Sequence, residues 1–146
     1  MAIEPLRNIS IVSGNIKAHI DMSRVNKNLD RAQFWLDSQI MTDMVPYMPH
    51  NTGTFVNVTR AQSAAIAGSG LVVAAAPPMG RFLYEGKVMV DPETNSPWAR
   101  PGAKKIVTER PLTYSNPKAT PRWFETAKEK HLHEWIAGVK QQAGGK

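Results

Sequence analysis

The stretch from Asn28 to Gly53 constrains this chain more than any other, because it fixes one long element, its end and the turn that follows. Val25, Leu29, Ala32, Leu36, Ile40 and Met44 recur every three or four residues, which places them on one stripe of an amphipathic helix. Ser23 is a candidate N-cap, and Trp35 widens the apolar face. Lys27, Asp30, Arg31 and Asp37 fall largely on the water side. Pro46 disfavours helical geometry at Val45 and removes a donor, so the helix ends there. Pro49-His50-Asn51-Thr52-Gly53 then has the composition of a tight corner leading into a strand.

Around this helix the pattern is mixed. Residues 1–13 read as a flexible arm or as a strand that pairs only on assembly. Ile16, Ala18 and Ile20 alternate with polar neighbours, as in a half-buried strand over Asn15 to Asp21. Val56 and Val58, the Gly68-Ser69-Gly70 turn and the apolar run Leu71 to Ala74 suggest a hairpin with a buried second arm, and the Ala61 to Ala67 stretch, which fits either a strand or a helical turn, is read as strand because the turn sits where a hairpin needs it. Met79 to Gly86 reads as a short helix closed by glycine. The segment 87–120 carries five prolines, and its runs Val88-Met89-Val90 and Ile106-Val107-Thr108 pair as arms of an extended hairpin. Thr120 and Pro121 mark the start of a last helix as N-cap and first turn, with Phe124, Ala127, Leu132, Trp135, Ile136 and Val139 on its apolar face. Residues 141–146 form a frayed tail.

The expectation is an α+β fold: a small antiparallel sheet packed against a long N-terminal helix and a C-terminal helix, with a long extended basic hairpin or loop. At 146 residues one domain, 1–146, is expected. Leu29, Ala32, Leu36, Ile40, Phe124 and Trp135 form its core scaffold. Trp123 and Phe124 are likewise taken as core rather than as base-stacking groups.

Composition narrows function mainly by exclusion. With no cysteine there is no disulfide or thiolate metal site. No secretory or membrane-spanning pattern is present, so a soluble intracellular protein is expected. His131 and His133 lie two apart, about 200 degrees around a helix, and do not share a metal. His19 and His50 lack an acidic or thiol partner, and Gly68-Ser69-Gly70 lacks the flanks of a phosphate loop or nucleophile elbow. The sequence therefore points away from an enzyme and calls for no cofactor. The formal charge is +6, and the excess lies in the second half: 6 Lys/Arg against 5 Asp/Glu up to Pro78, and 12 against 7 from Met79 onward. Arg100, Lys104, Lys105 and Arg110 form the best basic feature, read either as a solvated loop or as a contact to DNA phosphate.

The order of the pieces resembles the minor capsid protein family of tailed bacteriophages. The resemblance rests on Leu29-Asp30-Arg31-Ala32-Gln33, Leu36-Asp37-Ser38-Gln39, Asp43 to Pro49, Asn51-Thr52-Gly53, Gly68-Ser69-Gly70, Arg81 to Gly86 and Pro117 to Lys128, and covers roughly residues 25 to 140. Ala74-Ala75-Ala76-Pro77-Pro78-Met79 replaces the family's Trp and Pro-Tyr-Ala. The resemblance implies a non-enzymatic neck or tail-completion protein of the virion, assembled in the host cytoplasm as a six-fold or twelve-fold ring. Its neighbours would be a head completion or connector protein and a tail terminator or tail tube protein. Subunit contacts are then expected from Ile16, Ala18, Ile20, Val88, Val90 and Ile106, and non-specific contact with genomic DNA from Arg100, Lys104, Lys105 and Arg110. No membrane partner is implied. The alternative is a free basic nucleic-acid-binding module.

Overall fold

The structure, a computed structural model, describes residues 3–50 and 52–144. Its elements run β1 (Ile9–Ser13), β2 (Ile16–Ile20), α1 (Ser23–Met44), a 3-10 turn (Val45–Tyr47), α2 (Thr54–Ala65), α3 (Gly80–Glu85), β3 (Lys87–Val90), β4 (Ile106–Pro111) and α4 (Trp123–Gln142). The architecture is α+β. The strands form two separate antiparallel ribbons, β1-β2 and β3-β4, and the core lies between helices.

α1 and α4 make the most extensive contact of any two elements. They run antiparallel: Arg31 donates from Nη2 to Gln142 O at 2.7 Å at one end, and Trp135 Nε1 donates to Asp43 Oδ2 at 2.7 Å toward the other. A guanidinium on the last carbonyl of α4, that of Gln142, also complements the negative end of its dipole. The buried cluster is Met41, Met44, Met48, Val56, Trp123, Ala127 and Trp135. Trp123 is its centre. Its Nε1 donates to Ala74 O at 2.9 Å, and Tyr84 and Phe55 meet its ring edge-on at 4.8 and 5.9 Å.

α1 follows the expected stripe, with two adjustments. Ser23 is its first residue rather than its cap; Asp21 Oδ1 accepts the Ser23 amide at 2.9 Å, which supplies an acceptor from outside the helix. Asp37 lies buried instead of facing water. Its Oδ2 accepts the amides of Gly68 and Gly70 at 2.8 and 3.0 Å, and its Oδ1 accepts Gln33 Nε2 at 2.8 Å.

Those two bonds help explain why the expected second hairpin is absent. Thr54 to Ala65 is helical, and Val56, Thr59 and Ser63 fall on its buried side at spacings of three and four. Branched side chains such as Val56 and Val58 cost a helix only tenths of a kcal/mol, so burial of one face overrides them. Residues Leu71 to Ala76 are not a strand. The hydroxyls of Ser63 and Thr59 accept the amides of Val73 and Ala76 at 3.3 and 3.2 Å, doing for this segment what a neighbouring strand would do. Gly68 and Gly70, at φ 93° and 80°, turn the chain around the Asp37 carboxylate.

Two further boundaries differ. α4 begins at Trp123, and neither Thr120 nor Pro121 opens it. Arg122 precedes it with φ 51°, its amide held by Tyr84 O at 2.7 Å, while the Thr120 amide is held by Tyr47 O at 3.1 Å. These tertiary bonds hold Thr120 to Arg122 as a turn. The corner after α1 contains Asn51, which lies outside the described residues, as do residues 1–2 of the expected arm and 145–146 of the expected tail.

Candidate assembly surfaces

β1 and β2 are joined through Gly14 and Asn15, with Ile9 opposite Ile20, Ile11 opposite Ala18 and Ser13 opposite Ile16. Directly opposed residues share a face. One face of the ribbon is therefore Ile9, Ile11, Ser13, Ile16, Ala18 and Ile20, and the other is Ser10, Val12, Lys17 and His19. All ten strand residues are exposed, Ile16 to 72%. Half-buried packing was expected of Ile16, Ala18 and Ile20, and for residues 1–13 a flexible arm or a strand pairing only on assembly. Instead β1 pairs with β2 inside the chain, and both strands stay exposed among the described residues. The ribbon is held at its base: Asn26 exchanges two bonds with the Leu6 backbone at 2.8 and 2.9 Å, and Asn8 Oδ1 accepts the Met22 amide at 2.8 Å.

A second apolar surface lies between α1 and α4. Leu36, Ile40, Phe124, Leu132, Ile136 and Val139 line an open groove of about 400 Å³, with Trp135 in its floor and Lys128 and Lys140 at its margin. Phe124 and Trp135 stack at 6.3 Å. Leu36, Ile40 and Phe124, expected as core scaffold, are only half-buried because they form the wall of this groove; Leu29 is also half-buried, while Ala32 and Trp135 are buried. Leu132 and Ile136 are exposed.

The third surface is the β3-β4 ribbon. Met89 pairs with Val107 and Val90 with Ile106, with an irregularity nearer Lys87 where Thr108 Oγ1 donates to Val88 O at 2.6 Å. Of the expected subunit contacts here, Ile106 is exposed and Val88 half-buried. Val90 is fully buried, so it belongs to the interior of the chain and leaves the contact set. The loop beyond β3 is organised by Asp91, also fully buried. Its Oδ1 accepts the Glu93 and Thr94 amides at 2.9 and 3.4 Å, and its Oδ2 accepts the Arg100 amide and Nε at 3.1 and 2.9 Å. The hydrogen bonds from the Arg100 side chain and backbone hold the Asp91 carboxyl well below the usual carboxylate range, and the guanidinium is in turn held charged.

This corrects the basic cluster. Arg100 is turned back onto Asp91 and Glu93 and serves as a clamp on its own loop. Lys104 and Arg110 are exposed and Lys105 half-buried, and none of the three makes an ion pair among the described residues. The same clamp presents Trp98 at 85% exposure, a residue the sequence reading passed over. Its only signal was position: a tryptophan in a proline-rich loop, off any periodic face. Asp91 was missed too, although an Asp-Pro pair after a strand is a turn signal.

Among the described residues no three His, Asp or Glu side chains group as a metal site, and no buried side-chain polar atom lacks a partner. His131 pairs with Glu134 at 2.8 Å, His50 Nε2 donates to Val45 O at 2.8 Å, and His19 bonds Ser10 at 2.8 Å. No helix among these residues is long and apolar enough to cross a membrane. What the surface offers chemically is area. The accessible surface is 10418 Å² for 16.2 kDa, whereas a compact monomer of that mass exposes ~7,500 Å², so about 3,000 Å² is in excess.

The family model described as minor capsid protein matches residues 12–143. No curated protein and no solved structure matches the chain. The chain belongs to the minor capsid protein family, and its role is that of a structural component of the phage virion.

Proposed function

We propose that this minor capsid protein is a ring subunit of the phage neck, joining the DNA-filled head to the tail as a tail-completion or head-tail joining protein and performing no catalysis. The observation that carries the reading is the pair of unlike, uncovered apolar surfaces on one chain, the β1-β2 ribbon and the α1-α4 groove. Two different complementary patches make a heterologous contact, and such contacts give a ring where the rotation between neighbours closes on itself. Surplus surface of about 3,000 Å² accommodates the two sides of such a contact, since standard interfaces bury about 800 Å² per partner.

Within the ring, six-fold or twelve-fold, Ile16, Ala18, Ile20, Val88 and Ile106 contribute to contacts between subunits or with the head connector and tail terminator or tail tube layers. Lys104, Lys105 and Arg110 line the channel and touch genomic DNA phosphate without reading sequence. The experiment is a deletion of the gene followed by electron microscopy of the lysate. Filled heads and separate tails are expected, with joining restored by adding the purified chain; normal particles from the deletion would refute the role.

The alternative reading, a free nucleic-acid-binding module, draws on the same three cations. It predicts tight DNA binding by the isolated chain with a salt slope near three, about one per neutralised phosphate. The neck reading predicts weak binding by the monomer, strengthened when the chain is assembled. Lys104→Glu with Lys105→Glu separates them, abolishing monomer binding in the first case and reducing DNA retention in filled heads in the second.

A further inference from the structure

We propose that the apolar face of the β1-β2 ribbon of one subunit seats in the α1-α4 groove of a second copy of this chain. The inference rests on the ring reading and names the contact that builds the ring.

Several observations select this occupant. The ribbon face carries Ile9, Ile11 and Ser13 in one row and Ile16, Ala18 and Ile20 in the other, all exposed among the described residues. An isolated two-stranded hairpin is marginal in water, so this one gains its stability by being covered. The groove is the apolar concavity of matching size. Its α4 wall runs from Phe124 to Val139, about 22 Å at 1.5 Å per residue, and the ~13 Å between the ends of a five-residue strand fits within it. The repeats also agree. Phe124, Lys128, Leu132 and Ile136 lie on an every-fourth-residue row of α4, about 6 Å per step, and its adjacent apolar pair Leu132 and Ile136 is spaced close to the ~6.7 Å between alternate strand residues such as Ile9 and Ile11. Row can therefore lie along row without losing register.

Charge permits the fit. Lys17 and His19 lie on the opposite face of the ribbon from the isoleucines, so they stay in water while Lys128 and Lys140 remain at the groove margin. The surplus surface is also of the right size: a heterologous contact takes about 800 Å² from the ribbon side and as much from the groove side of every subunit, within the ~3,000 Å² available. Pairing of two ribbons face to face would instead give a closed dimer and leave every groove empty.

The chain contains no cysteine, so a cross-link can be placed without background. Ile11→Cys and Ile136→Cys are made in separate chains, mixed, assembled and oxidised. The expected result is a disulfide-linked species of doubled mass in the mixture and none from either variant alone. Self-linking of Ile11→Cys, or an assembled mixture without the link, overturns the docking. Native mass spectrometry of the unsubstituted chain separates the two levels. An oligomer lacking the Ile11-Ile136 link leaves the ring and removes this contact, whereas a chain monomeric at every concentration removes both. A third variant guards against misfolding: Ile16→Asp, at a position 72% exposed, is expected to keep the wild-type far-ultraviolet circular dichroism at a dilution where both chains are monomeric, and to lose assembly. Retention of the full oligomer by Ile16→Asp would also overturn the proposal.

Discussion

Trp35 lies flat against Gly138, so close that a Cβ at Gly138 would stand 1.9 Å from Cη2 of the indole. Glycine is there for contact between α1 and α4. Alanine would raise intrinsic helix propensity by up to about 1 kcal/mol, but it would force a bulky ring out of a packed interface, at about 1–3 kcal/mol. Gly138→Ala is expected to be destabilising in urea unfolding. Trp35→Leu should relieve the clash, giving a coupling of about 1 kcal/mol or more between the two sites in a double-mutant cycle. A Gly138→Ala chain as stable as wild type would show that the helices are not held this closely.

Asp37 is the tie between α1 and the chain reversal at Gly68 to Gly70. Asp37→Ala removes the shared acceptor of two amides in a buried place, and each loss of this kind costs about 1–3 kcal/mol. Asp37→Asn keeps one carbonyl oxygen and should lose less. Hydrogen exchange at Gly68 is the direct readout: acceleration in Asp37→Ala well beyond the global change is expected, and unchanged protection would contradict the role given to Asp37.

The same residue shows why part of this fold was legible and part was not. The long helix, its end near Pro46 and the Phe124 to Val139 stripe follow from periodicity and proline chemistry, which are local. The fate of Thr54 to Ala76 is decided by groups far away in sequence: Asp37 gathering Gly68 and Gly70, and the Thr59 and Ser63 hydroxyls standing in for a strand. A local pattern of valines and glycines cannot carry that information. The basic cluster divides in the same way. Lys104 and Lys105 are where a charge count puts them, but Arg100 belongs to a buried Asp91 nine residues away. Of the apolar ribbon only β2 was legible, as the alternation of Ile16, Ala18 and Ile20; its pairing with β1 and the exposure of its apolar face depend on how the core closes without it.

Tyr84 donates to Glu125 Oε2 at 2.6 Å and packs on Trp123. Burial, and then the Glu125 bond, push its hydroxyl well above the ordinary 10.0. Burial raises Tyr114 as well. Because the folded-state value is raised, the native state keeps its proton where the unfolded chain loses it, so stability is intact below pH 10 and falls as pH rises beyond it. Phenolate absorbance should show both tyrosines titrating late and together with unfolding. Tyr84→Phe should lose stability at neutral pH, through the broken bond to Glu125, yet show a shallower alkaline decline; an identical decline would indicate that Tyr84 is not the group responsible.

Asp91 provides the opposite sign at the other end of the pH scale. Its folded-state value is depressed below 3.8 by the Arg100 and loop-amide bonds, so its contribution is complete above that value and is lost as pH falls through the folded-state value. Asp91→Asn should therefore be less stable than wild type at about pH 6, with the gap narrowing steadily on acidification. Arg100→Ala should weaken the same clamp and release the loop carrying Trp98, read as faster amide exchange at Glu93. If Trp98 acts in assembly through its fixed presentation, Arg100→Ala should also lower joining of heads to tails while Trp98→Ala lowers it without changing exchange at Glu93. Equal stability of Asp91→Asn and wild type at both ends of the range would mean that the Asp91-Arg100 bond does not hold the loop.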